Sequence, residues 1–137
     1  MSASTGDAPI IQTIRVRVAA VGTAGNDLET VLGSVSVTGH VNAWRYIPDA
    51  TQAGAATNYR DLKLKNETAS KTCGELDMSA NDATHNLTAF TVKAMPLSGT
   101  ATDYDVTAGD VLTFDSVHVG TGITDPGGSV EVDIVKD

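Results

Sequence analysis

The chain of 137 residues is long enough for one domain that buries roughly two-thirds of the surface its unfolded chain exposes. Nine basic and seventeen acidic residues give a formal net charge of −8, which argues against binding nucleic acid or an anionic membrane through a broad basic surface. The one cysteine, Cys73, excludes an internal disulfide and, without a second cysteine or a close histidine pair, predicts an ordinary small side chain.

The beginning of the chain, MSASTGDAPI, is small and polar and shows no hydrophobic periodicity. It lacks the basic and long apolar regions of a signal peptide, and no apolar run approaches the length of a membrane span, so we expect synthesis in the cytoplasm. Residues 1–9 are predicted to form a flexible arm that either stays disordered or orders on a partner. Residues 10–137 are predicted to form one domain.

The first predicted element is a strand in IIQTIRVRVAAV, where apolar and polar residues alternate. The apolar residues at even positions in 14–18 are expected to face the core, and Arg15 and Arg17 lie on the opposite side. This arginine pair is expected to be solvated or to form an interface rather than a nucleic-acid site. The next segment, residues 26–32, fits either one capped helical turn or a short strand, and the pattern does not decide between them.

The stretch GSVSVTGHVNAWRYI continues the alternation. Its valines are expected to share a face with Gly39, which predicts a β-bulge or a close backbone approach. Trp44 and Tyr46 lie on one side of this segment and Arg45 on the other. Trp, Tyr and Arg are enriched at binding surfaces, but on a strand the two aromatic residues are expected in the core or at its edge.

Residues 48–58, PDATQAGAATN, are small and polar and predict an exposed loop. The next strand, YRDLKLKN, is expected to place Leu62 and Leu64 inward and its charged residues outward. A second polar loop is predicted to follow and to run to Asn86.

Three more strands are predicted in the last third of the chain. In NLTAFTVKAM we expect Phe90, Val92 and Ala94 to be buried and Pro96 to end the hydrogen-bond ladder. The last segment, SVEVDIVKD, alternates and is expected to bury its apolar residues.

The segment DVLTFDSVHVG between them changes parity. Leu112 and Phe114 share one face, whereas Val117 and Val119 fall on the other. A β-bulge near residues 115–116 would return the two valines to the core, and we expect one there.

A glycine-rich run, GTGITDPGG, separates the last two strands. A phosphate-binding loop of the dinucleotide type needs a helix after it, but an alternating strand follows, and Asp125 stands where the third glycine should fall. The run is therefore predicted to be a connection whose Asp-Pro-Gly-Gly sequence supplies turn geometry.

The whole pattern predicts an all-β fold. Roughly six to eight short strands without a sustained helical period favour a single-domain antiparallel β-sandwich, with jelly-roll-like connectivity. The chain is also rich in Val, Thr, Gly and Asp, which favours strands and turns.

No motif predicts catalysis, because the chain has neither a Gly-x-Ser-x-Gly nucleophile elbow nor a His-Glu-x-x-His metal motif. The histidines lie on three separate segments and are expected to be scattered rather than to form a metal or catalytic triplet. Asp103, Asp105 and Asp110, and separately Asn81–Asp82, offer oxygen ligands for calcium, but turn formation by Asx side chains explains them better. We therefore expect a protein that is not an enzyme and holds neither a cofactor nor a metal.

Three stretches support a family resemblance: TIRVRVAAVG, NYRDLKLKN and VTAGDVLTFDSVHVGTGITDPGGSVEVDIV. In the last of these a Gly-Asp begins a strand, a Gly-x-Gly loop containing proline follows, and the final strand alternates. In this arrangement the chain resembles the small head decoration, or cement, proteins that tailed bacteriophages encode next to the major capsid protein. The resemblance covers most of the chain, although residues 48–58 and 68–86 are not diagnostic.

This resemblance implies a structural virion protein, synthesised in the host cytoplasm, that binds the exterior of the mature capsid and stabilises it. The implied partners are the major capsid protein and further copies of the chain in a homotrimer, with no nucleic acid and no membrane. The alternatives are a phage tail or fibre-associated structural protein and a carbohydrate-binding β-sandwich module. Candidate capsid or subunit contacts are Pro9, Ile10, Arg15, Arg17, Trp44, Arg45, Tyr59, Arg60 and Lys63.

Overall fold

The structure is a computed structural model of the chain, and it describes residues 9–137. The described residues form nine strands and one 3₁₀ turn, Ala101–Tyr104. The strands are β1 Ile10–Val18, β2 Leu28–Ser34, β3 Gly39–Pro48, β4 Tyr59–Asn66, β5 Lys71–Asp77, β6 Lys93–Ala94, β7 Asp105–Val106, β8 Val111–Val119 and β9 Gly128–Lys136.

The strands form two antiparallel sheets. The first sheet has the order β1-β9-β3, and β3 also pairs with the short strands β6 and β7. The second sheet has the order β2-β8-β4-β5. The chain crosses repeatedly from one sheet to the other, so most neighbouring strands within a sheet are distant in sequence. The predicted all-β sandwich is thus confirmed.

One hydrophobic cluster between the sheets contains residues from both of them. Trp44 and Tyr46 of β3 are 1% and 0% exposed, and their rings lie 6.4 and 5.4 Å from the ring of Phe114 on β8. The indole Nε1 of Trp44 donates a hydrogen bond of 2.7 Å to the carbonyl oxygen of Pro96, which satisfies its one buried donor. The core position predicted for these two aromatic residues is confirmed.

The structure decides one open alternative and confirms other strand predictions. For residues 26–32, where a helical turn and a strand were both possible, residues from Leu28 onward belong to the strand β2. Leu62 and Leu64 are fully buried, and the charged residues that alternate with them, Asp61, Lys63 and Lys65, face outward. Gly39 marks a close backbone approach, because a Cβ at this position would lie 1.9 Å from the carbonyl oxygen of Val135.

Two predictions about the middle of the chain are wrong. The polar loop predicted to reach Asn86 contains a strand, β5, which buries Cys73 and Leu76 against the core. Phe90, Val92 and Ala94, all predicted to be buried, are exposed, the first two to 79% and 56%. The strand expected around them is reduced to the two residues of β6. The buried apolar side chains of this segment, Leu87 and Met95, come before and after the exposed residues.

The predicted β-bulge at residues 115–116 is also wrong. The pairing of β4 with β8 runs without a shift from Tyr59 opposite Val119 to Asn66 opposite Leu112. The irregularity lies instead on the neighbouring strand β2, between Val31 and Gly33. The even-numbered residues of β8 therefore face the interior along the whole strand, so Ser116 rather than Val117 points inward.

The glycine-rich run connects β8 of the second sheet to β9 of the first, as predicted. Gly120, Gly122 and Gly127 have φ values of 65°, 76° and 73°, in the left-handed region that favours glycine. Their positions also lack space, since a Cβ on Gly122 would lie 2.1 Å from the carbonyl oxygen of Ala24. Backbone geometry thus accounts for the glycines.

Candidate interaction sites

The outer side of the first sheet has three arginines, and we call it the arginine face. Arg15 of β1 and Arg45 of β3 lie on either side of Glu131 on the central strand β9. Both guanidinium groups bond to this carboxylate, and Arg45 forms a second, bidentate pair with Asp133 at 2.9 and 3.1 Å. Hydrogen bonds from Arg15 and then from Arg45 lower the pKa of Glu131.

The third arginine lies on the same face, two residues further along β1. Arg17 bonds to both carboxylate oxygens of Asp49, which follows β3, and this hydrogen bonding lowers the pKa of Asp49. The side chains of Arg15 and Arg17 are both 66% exposed. The face therefore presents arginines whose orientation is set by carboxylates but whose outer edges are open to solvent.

Exposed apolar side chains border the arginine face. Extending the β3–β6 register by one pair places Val92 beside Ile47, on the same side of the sheet as Arg45. Phe90 donates its backbone N–H to the carbonyl oxygen of Pro48 and adopts a φ of 55°. A bulky residue at positive φ stores strain of order 1–3 kcal/mol, and strain of this kind is concentrated at functional sites.

The sandwich also presents apolar residues along one side. Ile10 and Ile11 on β1 and Val31 on β2 are exposed, and β1 and β2 are the edge strands of their sheets. The two edges adjoin, because the side chain of Gln12 bonds to the backbone of Ser34. Edge strands with exposed apolar residues favour association with another chain.

The outer side of the second sheet is acidic, and we call it the acidic face. Two triads of carboxylates lie on it: Glu29, Glu67 and Asp115, and Asp61, Glu75 and Asp77. Lys65 lies 3.3 Å from both Glu67 and Asp115, and Lys63 lies 3.7 Å from Glu75. Sequence reasoning did not identify either triad, because their members come from strands whose pairing the alternation does not predict.

Burial, hydrogen bonding and charge repulsion perturb the pKa values of carboxyl groups on the acidic face. Burial and then Asp77 raise the pKa of Asp61 to about 6. A hydrogen bond to Asp77 and then burial raise the pKa of Glu75 to about 7. Asp115 raises the pKa of Glu29 by charge repulsion. The face thus holds more negative charge than its two lysines neutralise.

The predicted contact residues do not form one surface. Arg15, Arg17 and Arg45 lie together on the arginine face, and Pro9 and Ile10 are exposed at the start of β1. Tyr59 and Lys63 lie on the outer side of the second sheet. Of the predicted N-terminal arm, residues 1–8 lie outside the described residues.

Two of the predicted contact residues are inside the protein. Trp44 belongs to the core, and Arg60 is 0% exposed. The assignment of Arg60 as a surface contact is wrong because it lies on the inward side of β4, in line with Leu62 and Leu64. It donates hydrogen bonds of 2.8 and 2.9 Å to the carbonyl oxygens of Ile123 and Ala24.

Arg60 belongs to a buried polar cluster at one end of the sandwich. It also donates to the hydroxyl of Ser116, which donates a bond of 2.6 Å to Asp125. The Asp125 carboxylate accepts further bonds from the Tyr46 hydroxyl at 2.6 Å and from the backbone N–H of Gly127 at 3.0 Å. The cluster thus ties the glycine-rich connection to both sheets, and every charge in it has a partner.

The remaining candidate groups are used within the fold. Each histidine side chain of the described chain bonds to a different aspartate, namely Asp137, Asp82 or Asp27. Asp82 accepts backbone bonds from the two residues that follow Ala83, as Asx-type turns do, whereas Asp110 accepts from the N–H of Thr107, three residues before it. Burial raises the pKa of the Cys73 thiol to about 12, consistent with an ordinary core residue.

Residues 9–137 contain no helix that is both long and apolar enough to cross a membrane. No protein-family model, no curated protein and no solved structure matches the chain.

Proposed function

We propose that the protein is a decoration, or cement, protein of a tailed bacteriophage, which binds the exterior of the mature capsid and stabilises it. The observation that carries the proposal is the arginine face with its apolar border, a preorganised and exposed surface on a rigid antiparallel sandwich. The segments that resemble decoration proteins form β1, β4, β8 and β9, which include the central strands of both sheets. Jelly-roll-like connectivity is part of the proposal.

The arginine face has the composition of a protein-binding surface. Arginine and aromatic residues contribute most of the binding energy at many interfaces, and Phe90, whose backbone bonds to Pro48 at the end of β3, offers a large exposed apolar side chain. Carboxylates already hold the arginines in position, so little side-chain entropy is lost on binding. The partner is the major capsid protein, without nucleic acid or membrane.

Stabilisation of the capsid follows from mass action. A protein that binds the expanded shell and not its precursor stabilises the expanded state by RT ln(1 + [L]/Kd) at each site, and a capsid offers many sites. A homotrimer would engage several capsid subunits at once. Ile10, Ile11 and Val31 supply exposed apolar contacts for such a trimer on the edges of β1 and β2.

Trp44 and Tyr46 are buried, so of the tryptophan and three tyrosines on which the carbohydrate-binding alternative depended, only Tyr59 and Tyr104 are partly exposed. A tail or fibre protein remains the competing function, and the test is designed to separate it from a head protein.

The test is co-sedimentation of the purified protein with expanded heads of the phage that encodes it, with unexpanded proheads and isolated tails as parallel samples. We expect saturable binding to expanded heads only. Phe90→Ala and Arg17→Ala should each weaken this binding at least roughly tenfold, the loss typical of one important contact. Lys63→Ala, on the opposite face, is the matched control and should bind as the wild type does.

Binding to tails alone would replace the head function with the tail function. Binding to none of the particles would overturn the proposal. If Lys63→Ala weakened binding to heads while the arginine-face variants did not, the contact surface would lie on the acidic face instead.

A further inference from the structure

The first carboxylate triad of the acidic face has the geometry of a cation site. Glu29 lies on β2 and Asp115 directly opposite it on β8, while Glu67 immediately follows β4 on the other side of β8. One carboxylate oxygen from each residue lies within 4.8 Å of the others. Two of the three groups come from paired strands, so the sheet fixes their separation.

Asp115 gives a second and independent indication. The residue is 8% exposed, and its Oδ1 atom is buried without any hydrogen-bond partner. Buried carboxylate oxygens are normally paired, because leaving one unsatisfied costs roughly 1–3 kcal/mol or more for a charged group. The other oxygen, Oδ2, already lies 3.3 Å from Lys65. The carboxylate thus has one oxygen beside an ammonium group and one oxygen without a hydrogen-bond partner.

The charge of the cluster supports the same conclusion. Three carboxylates and the ammonium of Lys65 leave a formal charge of −2, which one divalent cation neutralises. Thr113 donates a hydrogen bond of 2.8 Å to Oε1 of Glu67 and fixes that carboxylate. Lys65 and Thr113 thus occupy only part of the oxygen set.

We propose that Glu29, Glu67 and Asp115 bind a hard divalent cation of the calcium class on the acidic face. The donor atoms are all oxygen, with neither histidine nor cysteine, which disfavours zinc and other transition metals. Calcium accepts irregular sets of carboxylates and completes its shell with water, whereas magnesium demands near-ideal octahedral geometry. This site is independent of capsid binding by the arginine face.

The second triad also has a buried carboxylate oxygen without a partner, Oδ1 of Asp61, but Asp61 as a whole is only partly buried, so this triad carries no such proposal and serves as the control. None of its residues is buried to the extent of Asp115, and Lys63 approaches it through Glu75. Asp61→Asn removes one carboxylate charge from the same face without touching the proposed site. It therefore separates a specific cation site from general attraction of cations to an acidic surface.

The experiment is isothermal titration calorimetry of calcium chloride into protein freed of metal with EDTA, with magnesium chloride in a parallel titration. We expect one calcium site with a dissociation constant of about 10⁻⁴–10⁻³ M, the range of modestly charged sites, and weaker binding of magnesium. Asp115→Asn should weaken calcium binding at least about tenfold, whereas Asp61→Asn should leave it within about twofold of the wild type.

Glu29→Gln repeats the test at an exposed residue, so that a folding defect of Asp115→Asn cannot decide the outcome. It should also weaken calcium binding. If the wild type bound no calcium at calcium concentrations up to about 10 mM, the proposal would be overturned, because this concentration is well above the largest dissociation constants of calcium-binding modules. Equal affinity of the wild type and Glu29→Gln, or equal losses in Asp61→Asn and Glu29→Gln, would also overturn it.

Discussion

At the scale of single residues, Asp61 links the acidic face to pH. It lies opposite Asp77 in the β4–β5 register, and its buried Oδ1 has no hydrogen-bond partner. Its pKa rises from 3.8 to about 6, mainly through burial and then through Asp77. The folded protein therefore retains a proton that the unfolded chain releases, and stability falls as pH rises from about 4 to about 6.

Asp61→Asn should remove this penalty. We expect the variant to be more stable than the wild type at about pH 8, by roughly 1 kcal/mol after allowance for solvent screening of a half-exposed group. At about pH 4 the wild-type carboxyl is largely protonated, and the difference should shrink. Urea unfolding at the two pH values measures it.

Asp105→Asn is the matched control, since it removes an equal charge from an exposed position of β7. It should change stability by less than about 0.5 kcal/mol at either pH. If the two variants gave the same profile, the effect would reflect the net charge of −8 rather than the local repulsion at Asp61.

Residue-scale predictions from the sequence succeeded where burial follows hydrophobicity and failed where a polar residue is buried. Alternation correctly placed Leu62, Leu64 and Tyr46 inside. The same alternation also puts Arg60 and Ser116 at inward positions. Polar residues are mostly exposed in proteins, so the pattern alone does not suggest that these two are buried. Their partners lie in loops far away in sequence, so local patterns could not reveal the buried cluster.

At the scale of structural elements, two errors have a common cause: β5 was not predicted, and the strand predicted in residues 86–95 was too long. β5 alternates weakly because Gly74 interrupts it, and it is a strand because it pairs with β4. Residues 86–95 alternate well, yet only the two residues of β6 pair with β3, and Phe90 is exposed. Tertiary pairing, which the local sequence does not encode, decided both.

Three loop glycines, of which Gly122 lies in the connection between β8 and β9, allow backbone strain and steric clash to be measured separately. Gly122→Ala should cost roughly 2 kcal/mol or more, because it combines a φ of 76° with a Cβ placed 2.1 Å from the carbonyl oxygen of Ala24. Gly109→Ala has a φ of 95° but open space around its Cβ, so it should cost only about 1 kcal/mol. Thermal unfolding of both variants provides the comparison.

Gly99→Ala completes this series, since its Cβ meets nothing within 4 Å and its backbone is not in the left-handed region. It should be neutral or stabilising by up to about 1 kcal/mol through the unfolded state. Equal effects of the three substitutions would show that turn geometry is not the reason for glycine in this connection.

At the scale of the whole molecule, the two outer faces differ in charge. On the arginine face, three arginines are matched by Glu131, Asp133 and Asp49. On the acidic face, six carboxylates face two lysines. Composition predicted the overall acidity, but it could not assign the excess to one sheet, because that depends on which strands share a sheet. If the arginine face meets a capsid, the acidic face points to solvent.

Association of the chain with itself is the property that depends on the two adjoining edges, β1 and β2. Ile11 and Val31 are exposed on the adjoining edges of β1 and β2, and burying an aliphatic side chain contributes about 1.5–3 kcal/mol. A trimer that uses these edges leaves the arginine face free. Sedimentation velocity of the wild type should give about three times the chain mass of 14.1 kDa.

The double variant Ile11→Lys, Val31→Lys should sediment as a folded monomer whose unfolding temperature no longer depends on protein concentration, because both positions are exposed in the single chain. Val92→Lys is the control on the arginine face, and it should remain trimeric while its binding to capsids weakens. A monomeric wild type, or a double variant that still forms trimers, would contradict assembly through these edges. Since a monomer has one contact per capsid site, the double variant should also lose the avidity of the trimer, so its capsid binding should weaken even though its arginine face is intact.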